Sequence, residues 1–177
     1  MLFTQEKSAP VSANIAANAR IIAAYAGTGK TTLAKLYPDK VVDFVCMPYK
    51  YYLTELDGNF DESCKANHDN EMQANWPHNY VAAIKEASHE RKIIVIPSDF
   101  RVLELLRKEN ISYILCYPQR EAKKVYRSRF VNRGNTECFM DIFIGGWDWF
   151  MDSLERDAFG QHIVLNPYQY LSDVIDV

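Results

Sequence analysis

The sequence predicts an α/β protein, three layers deep, with helices on both faces of a parallel five-stranded sheet. Three observations lead there. Apolar runs and helix-spaced stretches alternate along the 177 residues, the pattern of successive strand–helix units. The run IIVI at 93–96 is apolar on both sides of its alternation, as a strand covered on both faces must be. The first apolar run leads straight into Gly27-Thr28-Gly29-Lys30-Thr31-Thr32 and a helix-forming stretch, the order strand, glycine turn, lysine, hydroxyl, helix.

Taken in order, residues 1–18 are mixed polar with Pro10 and read as an N-terminal arm. Arg20–Ala26 is the first strand and Lys30–Tyr37 the first helix, stopped by Pro38. Lys40–Cys46 is the second strand, ended by Pro48. Tyr49–Trp76 has no clear periodicity. With Asp57-Gly58-Asn59 as a turn, it reads as an insert over the mouth of the sheet. Pro77 opens a helix over 78–90 with Tyr80, Val81, Ile84 and Ala87 on one stripe. Lys92–Ile96 is the third strand, and Ser98 or Asp99 caps the helix that runs to about Glu109.

Ile111–Tyr117 is the fourth strand. Pro118 and Gln119 open a basic helix to about Asn132, broken by Arg133-Gly134-Asn135. A long helix over 136–157 carries Phe139, Ile142, Phe143, Trp147, Phe150 and Leu154, with Gly145-Gly146 interrupting its pattern. Trp147 fits the apolar stripe; Trp149, two residues on, points elsewhere and is expected at the surface or an interface. His162–Leu165 is the fifth strand, followed by Pro167 and a short helix. The domain reading is an arm at 1–18 and one domain at 19–177, with an acceptor-side insert at about 47–90 and a lid at about 119–137.

Composition narrows the function. Net charge is −3, which argues against nucleic-acid binding driven by overall charge. The four cysteines form no C-x-x-C and the four histidines no zinc spacing. No signal-like N-terminus and no apolar run long enough for a bilayer is visible. A cytoplasmic protein with reduced thiols and no membrane partner is expected.

The glycine loop carries the chemistry. Ala26, Gly27, Thr28, Gly29, Lys30, Thr31 and Thr32 are the expected nucleotide-binding residues. Glycines let backbone N–H groups close around a phosphate. Lys30 brings a mobile charge to the β- and γ-phosphates, and the Thr31 hydroxyl can hold Mg²⁺. The positive end of the first helix faces the same anion. In the full pattern G-x-x-x-x-G-K-[ST], the first glycine is replaced by Ala24, which the end of a strand tolerates at negative φ.

Two carboxylates and two arginines join the loop. Asp43 sits in the second strand, in VVDFVC; ligands of parallel sheets bind at the strand ends, and it is expected to face the acceptor or a water on Mg²⁺. Asp99 is read first as a helix cap and second as an orienter of Mg²⁺ water. In the basic stretch, Arg120, Lys124 and Arg127 share one helical face, and Arg129 and Arg133 share another. Arg129 and Arg133, spaced i,i+4 before Gly134, are the expected lid arginines, suited to charge on a transferring phosphoryl group. Arg120, Lys123, Lys124 and Arg127 read as a solvated face, with Glu121 and Glu137 as neighbours. Tyr51, Tyr52 and Trp76 are aromatic enough to stack on a base, although Trp76 reads first as the anchor of its helix.

With AGTGKTTLAKLYP at 26–38, VVDF at 41–44, WPHNYVAAI at 76–84, YILCYPQREAKKVYRSRFVNRGN at 113–135 and WDWF at 147–150, the chain resembles P-loop kinases of the nucleoside monophosphate kinase and shikimate kinase group. Within it, the chain looks most like small adenylate-kinase-like nucleotide kinases frequent in phages and prophage regions. The resemblance implies a sheet ordered 2-3-1-4-5 and ATP with Mg²⁺ as phosphoryl donor. It implies donor contacts from Lys30 and Thr31, an acceptor-side Asp43, lid arginines at Arg129 and Arg133, and a nucleoside or deoxynucleoside monophosphate as acceptor. No arginine occurs between residues 46 and 90, so Lys50, Lys65 or Lys85 would have to supply the acceptor-side charge. The rival readings are an ATP-dependent regulatory or interaction module without an acceptor, and a kinase of nucleic-acid ends.

Overall fold

The computed structural model describes residues 21–52 and 71–177. The expected arm and residues 53–70 of the insert, Lys65 among them, lie outside the described residues.

Strand β1 (Ile21–Ala24) occupies the centre of a five-stranded sheet. Strands β2 (Val41–Asp43), β3 (Ile93–Pro97), β4 (Ile114–Pro118) and β5 (Gln161–Leu165) complete it in the order β2-β3-β1-β4-β5, every pairing parallel. That is the expected order. β1 pairs through Ala24 with both Pro97, the last residue of β3, and Cys116 of β4, so the glycine loop leaves from between two neighbours.

Alternation along β1 sorts the core into two layers. Ile21, Ala23 and Tyr25 pack with Tyr80, Leu103, Tyr126 and Trp147 on one face. Ile22 and Ala24 pack with Leu33, Leu165 and Leu171 on the other. Helices α1 (Lys30–Leu36), α3 (His78–Ala87), α4 (Phe100–Lys108), α5 (Lys123–Asn132) and α7 (Trp147–Glu155) connect the strands. A one-turn helix α2 (Met47–Lys50) follows β2; the sequence, with Pro48 inside that turn, shows no helical period there.

The second strand is also shorter than the expected Lys40–Cys46, ending at Asp43, since Cys46 already caps α2, and two more stretches differ from expectation. The basic helix begins later: Arg120–Ala122 is a 3₁₀ turn and α5 starts at Lys123. The long helix over 136–157 is three pieces, α6 (Glu137–Met140), a π turn at Asp141–Gly145 and α7. Gly146 bonds back to Asp141 O at 3.2 Å and Ile142 O at 3.1 Å. A Cβ there would lie 2.5 Å from Ile142 O, so the second glycine permits the widened turn. Trp147 is fully buried and Trp149 is 55% exposed.

The edge of the sheet holds a buried carboxylate. Asp157, its side chain 3% exposed, accepts from Tyr113 OH at 2.6 Å, Arg107 at 2.7 Å and the N–H groups of Phe159 and Gly160 at 2.9 Å. Burial alone would raise its pKa; these donors and the Arg107 charge outweigh it and hold the carboxyl below the ordinary aspartate range. A depressed folded-state pKa gives stability that is present above the unfolded value, about 3.9, and lost as pH falls through the folded one. Urea unfolding from pH 7 to pH 2 should therefore show an acid limb that Asp157→Asn flattens. An equally steep limb in the variant would remove Asp157 as its source.

No helix among the described residues is long and apolar enough to cross a membrane. No disulfide forms among them: Cys46 and Cys116 are buried thiols, and burial pushes the Cys116 thiol up to about 12.

Candidate functional site

The glycine loop lies at the carboxyl end of the sheet, between β1 and α1. Gly27 and Gly29 both have positive φ, 77° and 93°, a region that side chains with a Cβ enter at a cost of about 1–2 kcal/mol. Space is also short: a Cβ on Gly27 would lie 2.7 Å from the Phe130 ring. Ala24 ends β1 without a positive φ, which explains why alanine serves at the position of the pattern's first glycine.

Several contacts brace the loop. Buried Thr28 donates its hydroxyl to Tyr25 O at 2.8 Å. The C-terminal turn reaches across to it through Leu171 N–H to Thr28 O at 2.9 Å, and Tyr170 packs on Gly29. Lys30 is 6% exposed, with Nζ donating to Ala24 O at 3.1 Å and Tyr25 O at 2.9 Å. Its ammonium is thus folded against the base of the loop it serves.

Thr31 Oγ1 donates to Asp43 Oδ2 at 2.6 Å. The hydroxyl begins α1 and the carboxylate ends β2, so the sheet order brings together two oxygens twelve residues apart. This pair fits a Mg²⁺ ion that takes most of its ligands from phosphate and water. Among the described residues no group of three or more His, Cys, Asp or Glu side chains is arranged to hold a metal by itself. Thr32, also in the first turn, is exposed.

Asp99 N-caps α4, its Oδ1 accepting from Arg101 N–H at 2.9 Å and Val102 N–H at 3.4 Å. Its Oδ2 pairs with Lys50 Nζ at 3.0 Å. Burial pushes the Lys50 pKa down; the Asp99 charge and hydrogen bond, with smaller contributions from Tyr51 and Cys46, together raise it by more, and the net direction is upward. Lys50 also lies over the rings of Trp76, at 5.3 Å, and Tyr51, at 5.8 Å. Of the other two lysines considered for the acceptor side, Lys85 is paired with Glu109 at 2.7 Å and Lys65 falls outside the described residues.

Arg129 and Arg133 part company. Arg129 donates to Gly27 O at 3.2 Å and Pro167 O at 2.8 Å, and lies over the rings of Tyr170, at 4.0 Å, and Tyr126, at 4.5 Å. It ties the glycine loop to the C-terminal turn. Arg133 caps the end of α5 and is exposed. Arg120 is paired, with Asp152 at 2.6 Å and Glu155 at 2.9 Å, and Lys123 reaches Asp148 at 3.5 Å. These partners come from α7, whereas the sequence suggested Glu121 and Glu137. Trp76 is 7% exposed and packs on Tyr80, the anchoring arrangement; Tyr52 is exposed.

Next to the loop is a cavity of about 320 Å³ whose wall includes Lys30, Lys50, Tyr51, Ser98 and Asp99. Its other side is aromatic: Phe100, Phe139, Phe143, Trp149 and Phe150. Sequence reasoning did not assemble this wall, because its members come from α4, α6, the π turn and α7. The one signal for it was the aromatic density of 139–150, which a buried helix explains equally well.

Comparison of the chain with protein-family models, with curated proteins and with solved structures finds no match in any of the three.

Proposed function

We propose that the protein is a P-loop kinase that transfers the γ-phosphoryl group of ATP to a small molecule. The observation that carries this is the position of Lys30. It belongs to the glycine loop and also to the wall of the neighbouring cavity, so a donor phosphate on the loop and a second molecule in the cavity would meet at one ammonium. A module that only bound and released nucleotide would not need a walled cavity there.

The residues divide the work as follows. Gly27, Thr28 and Gly29 present the loop backbone, and Lys30 leaves its carbonyl partners for the phosphates. Thr31 and Asp43 would hold Mg²⁺ through its water, and the ion would supply charge neutralisation at the phosphates. An acceptor oxygen forms its bond to the γ-phosphorus as the bond to the β,γ-bridging oxygen breaks, and ADP leaves. A hydroxyl acceptor releases its proton to a carboxylate at the strand ends, where Asp43 has the simpler set of partners. Arg129 holds the loop in place, and Arg133, at the end of α5, is the lid arginine of this reading.

The test is ADP release measured over monophosphates of nucleosides and deoxynucleosides, the nucleosides themselves and small alcohols. At least one acceptor should raise turnover well above hydrolysis. Asp43→Asn should lower that turnover about 10²-fold. ATP binding with no acceptor response anywhere in the screen would overturn the kinase reading in favour of a nucleotide-dependent regulatory module.

A further inference from the structure

The acceptor can be narrowed by the charge and shape of the cavity; this step rests on the phosphoryl-transfer reading above. The cavity volume, about 320 Å³, is at the small end of the roughly 300–1,000 Å³ typical of ligand sites. It suits one compact ring system with a few attached groups.

The walls are mostly carbon. Phe143 and Phe150 lie nearly parallel, centroids 5.6 Å apart with an interplanar angle of 14°. Trp149 stands edge-on to both Phe150, at 5.1 Å, and Phe100, at 6.0 Å. Trp149 and Phe100 are 55% and 52% exposed. Such surfaces favour a flat ring with a π-face to offer.

Among the described residues, the donor phosphates take Lys30, and the remaining charges of the wall, Lys50 and Asp99, balance each other. Lys50 is committed to Asp99 at 3.0 Å, with side chains only 21% and 14% exposed, and is bracketed by two aromatic rings. A phosphate dianion placed there would sit beside the Asp99 carboxylate or pull Lys50 away from it. Either course leaves a charge half-buried and uncompensated. Arg101 lies over the Phe100 ring at 5.5 Å and against Met72 Sδ; it is exposed, where an ion pair is worth little. A hydroxyl has no such conflict: it can donate to Asp99 and accept from Lys50 with the pair intact.

We propose that the cavity binds an uncharged aromatic compound bearing hydroxyl groups, of nucleoside type, and that this compound rather than its monophosphate accepts the phosphoryl group. Its hydroxyl oxygen bonds to the γ-phosphorus of the nucleoside triphosphate, the β,γ-bridging bond breaks to release the diphosphate, and the hydroxyl proton passes to Asp43, the carboxylate that meets the loop at Thr31, so the Lys50–Asp99 pair stays intact.

Trp149 supplies the assay, because the other tryptophans, Trp76 and Trp147, are buried. Tryptophan fluorescence of the full chain is titrated with adenosine, cytidine and thymidine and with their 5′-monophosphates. Binding of each is repeated by calorimetry, and MgATP is titrated separately. Nucleosides should bind at least tenfold more tightly than their monophosphates and drive ADP release. Trp149→Ala should weaken nucleoside binding roughly fivefold or more while MgATP affinity stays within twofold; its exposed position leaves folding intact. Monophosphates binding as tightly as or more tightly than nucleosides, with MgATP bound, overturns this inference and leaves the kinase reading standing. So does failure of every nucleoside to bind, or nucleoside binding unchanged in Trp149→Ala. Failure of MgATP to bind overturns the kinase reading itself, and the acceptor assignment with it.

Discussion

Lys30→Met is expected to lower phosphoryl-transfer turnover by about 10²–10³-fold, the range for loss of one preorganised donor to a developing charge. The substitution is also expected to leave the fold in place. Methionine fills similar volume at a site that is 6% exposed. The two carbonyls that lose the ammonium keep other donors: Ala24 O accepts from Ser98 N–H at 3.2 Å, and Tyr25 O from the Thr28 hydroxyl at 2.8 Å. Urea midpoint and far-UV circular dichroism should therefore change little while turnover and ATP affinity collapse together. A variant that retains more than a tenth of the parent's turnover would remove Lys30 from the chemistry.

The largest effect on stability is expected at Trp147. Trp147→Ala should cost about 3–5 kcal/mol, a large part of the roughly 5–15 kcal/mol that holds a domain folded. The side chain is fully buried and stands edge-on to Tyr25 at 5.6 Å and to Tyr126 at 5.4 Å. Its Nε1 donates to Arg120 O at 3.0 Å, so truncation opens a cavity and strands a carbonyl. Trp149→Ala, two residues along the same helix, should change stability by no more than about 0.5 kcal/mol. Urea unfolding of the two variants side by side checks the contrast. Comparable losses from both would mean that the exposed rim of the cavity, not the buried aromatic cluster, carries the packing of α7.

The strands and the loop were legible because their signals are local. Apolar runs of four or five residues, glycine at two positions that need positive φ, and proline at element ends are written in neighbouring residues. The helical breaks were harder. Helix α2 is a single turn containing Pro48, held by bonds from Lys50 N–H to Cys46 O and Tyr51 N–H to Met47 O, and a single turn has no period to read. The π turn was visible only as a glycine pair, since its hydrogen-bond shift depends on where Phe143 and Ile144 pack. For the basic stretch, the grouping of residues by face came from helical geometry, but Arg120 lies in a 3₁₀ turn before that geometry begins, and its acidic partners lie on another helix.

By itself, the sequence determined the alternation of strands and helices, the glycine loop with Lys30 and Thr31, the placement of Asp43 within the second strand and the opposite fates of Trp147 and Trp149. Each depends on short-range rules of backbone conformation or on the period of one element. Tertiary structure alone decided that Thr31 meets Asp43, that Asp99 spends its charge on Lys50, that Arg129 fastens the loop to the C-terminal turn, and that five aromatics from separate elements wall a cavity beside Lys30. Those contacts depend on how far apart packed elements stand, and sequence spacing carries no information about that distance.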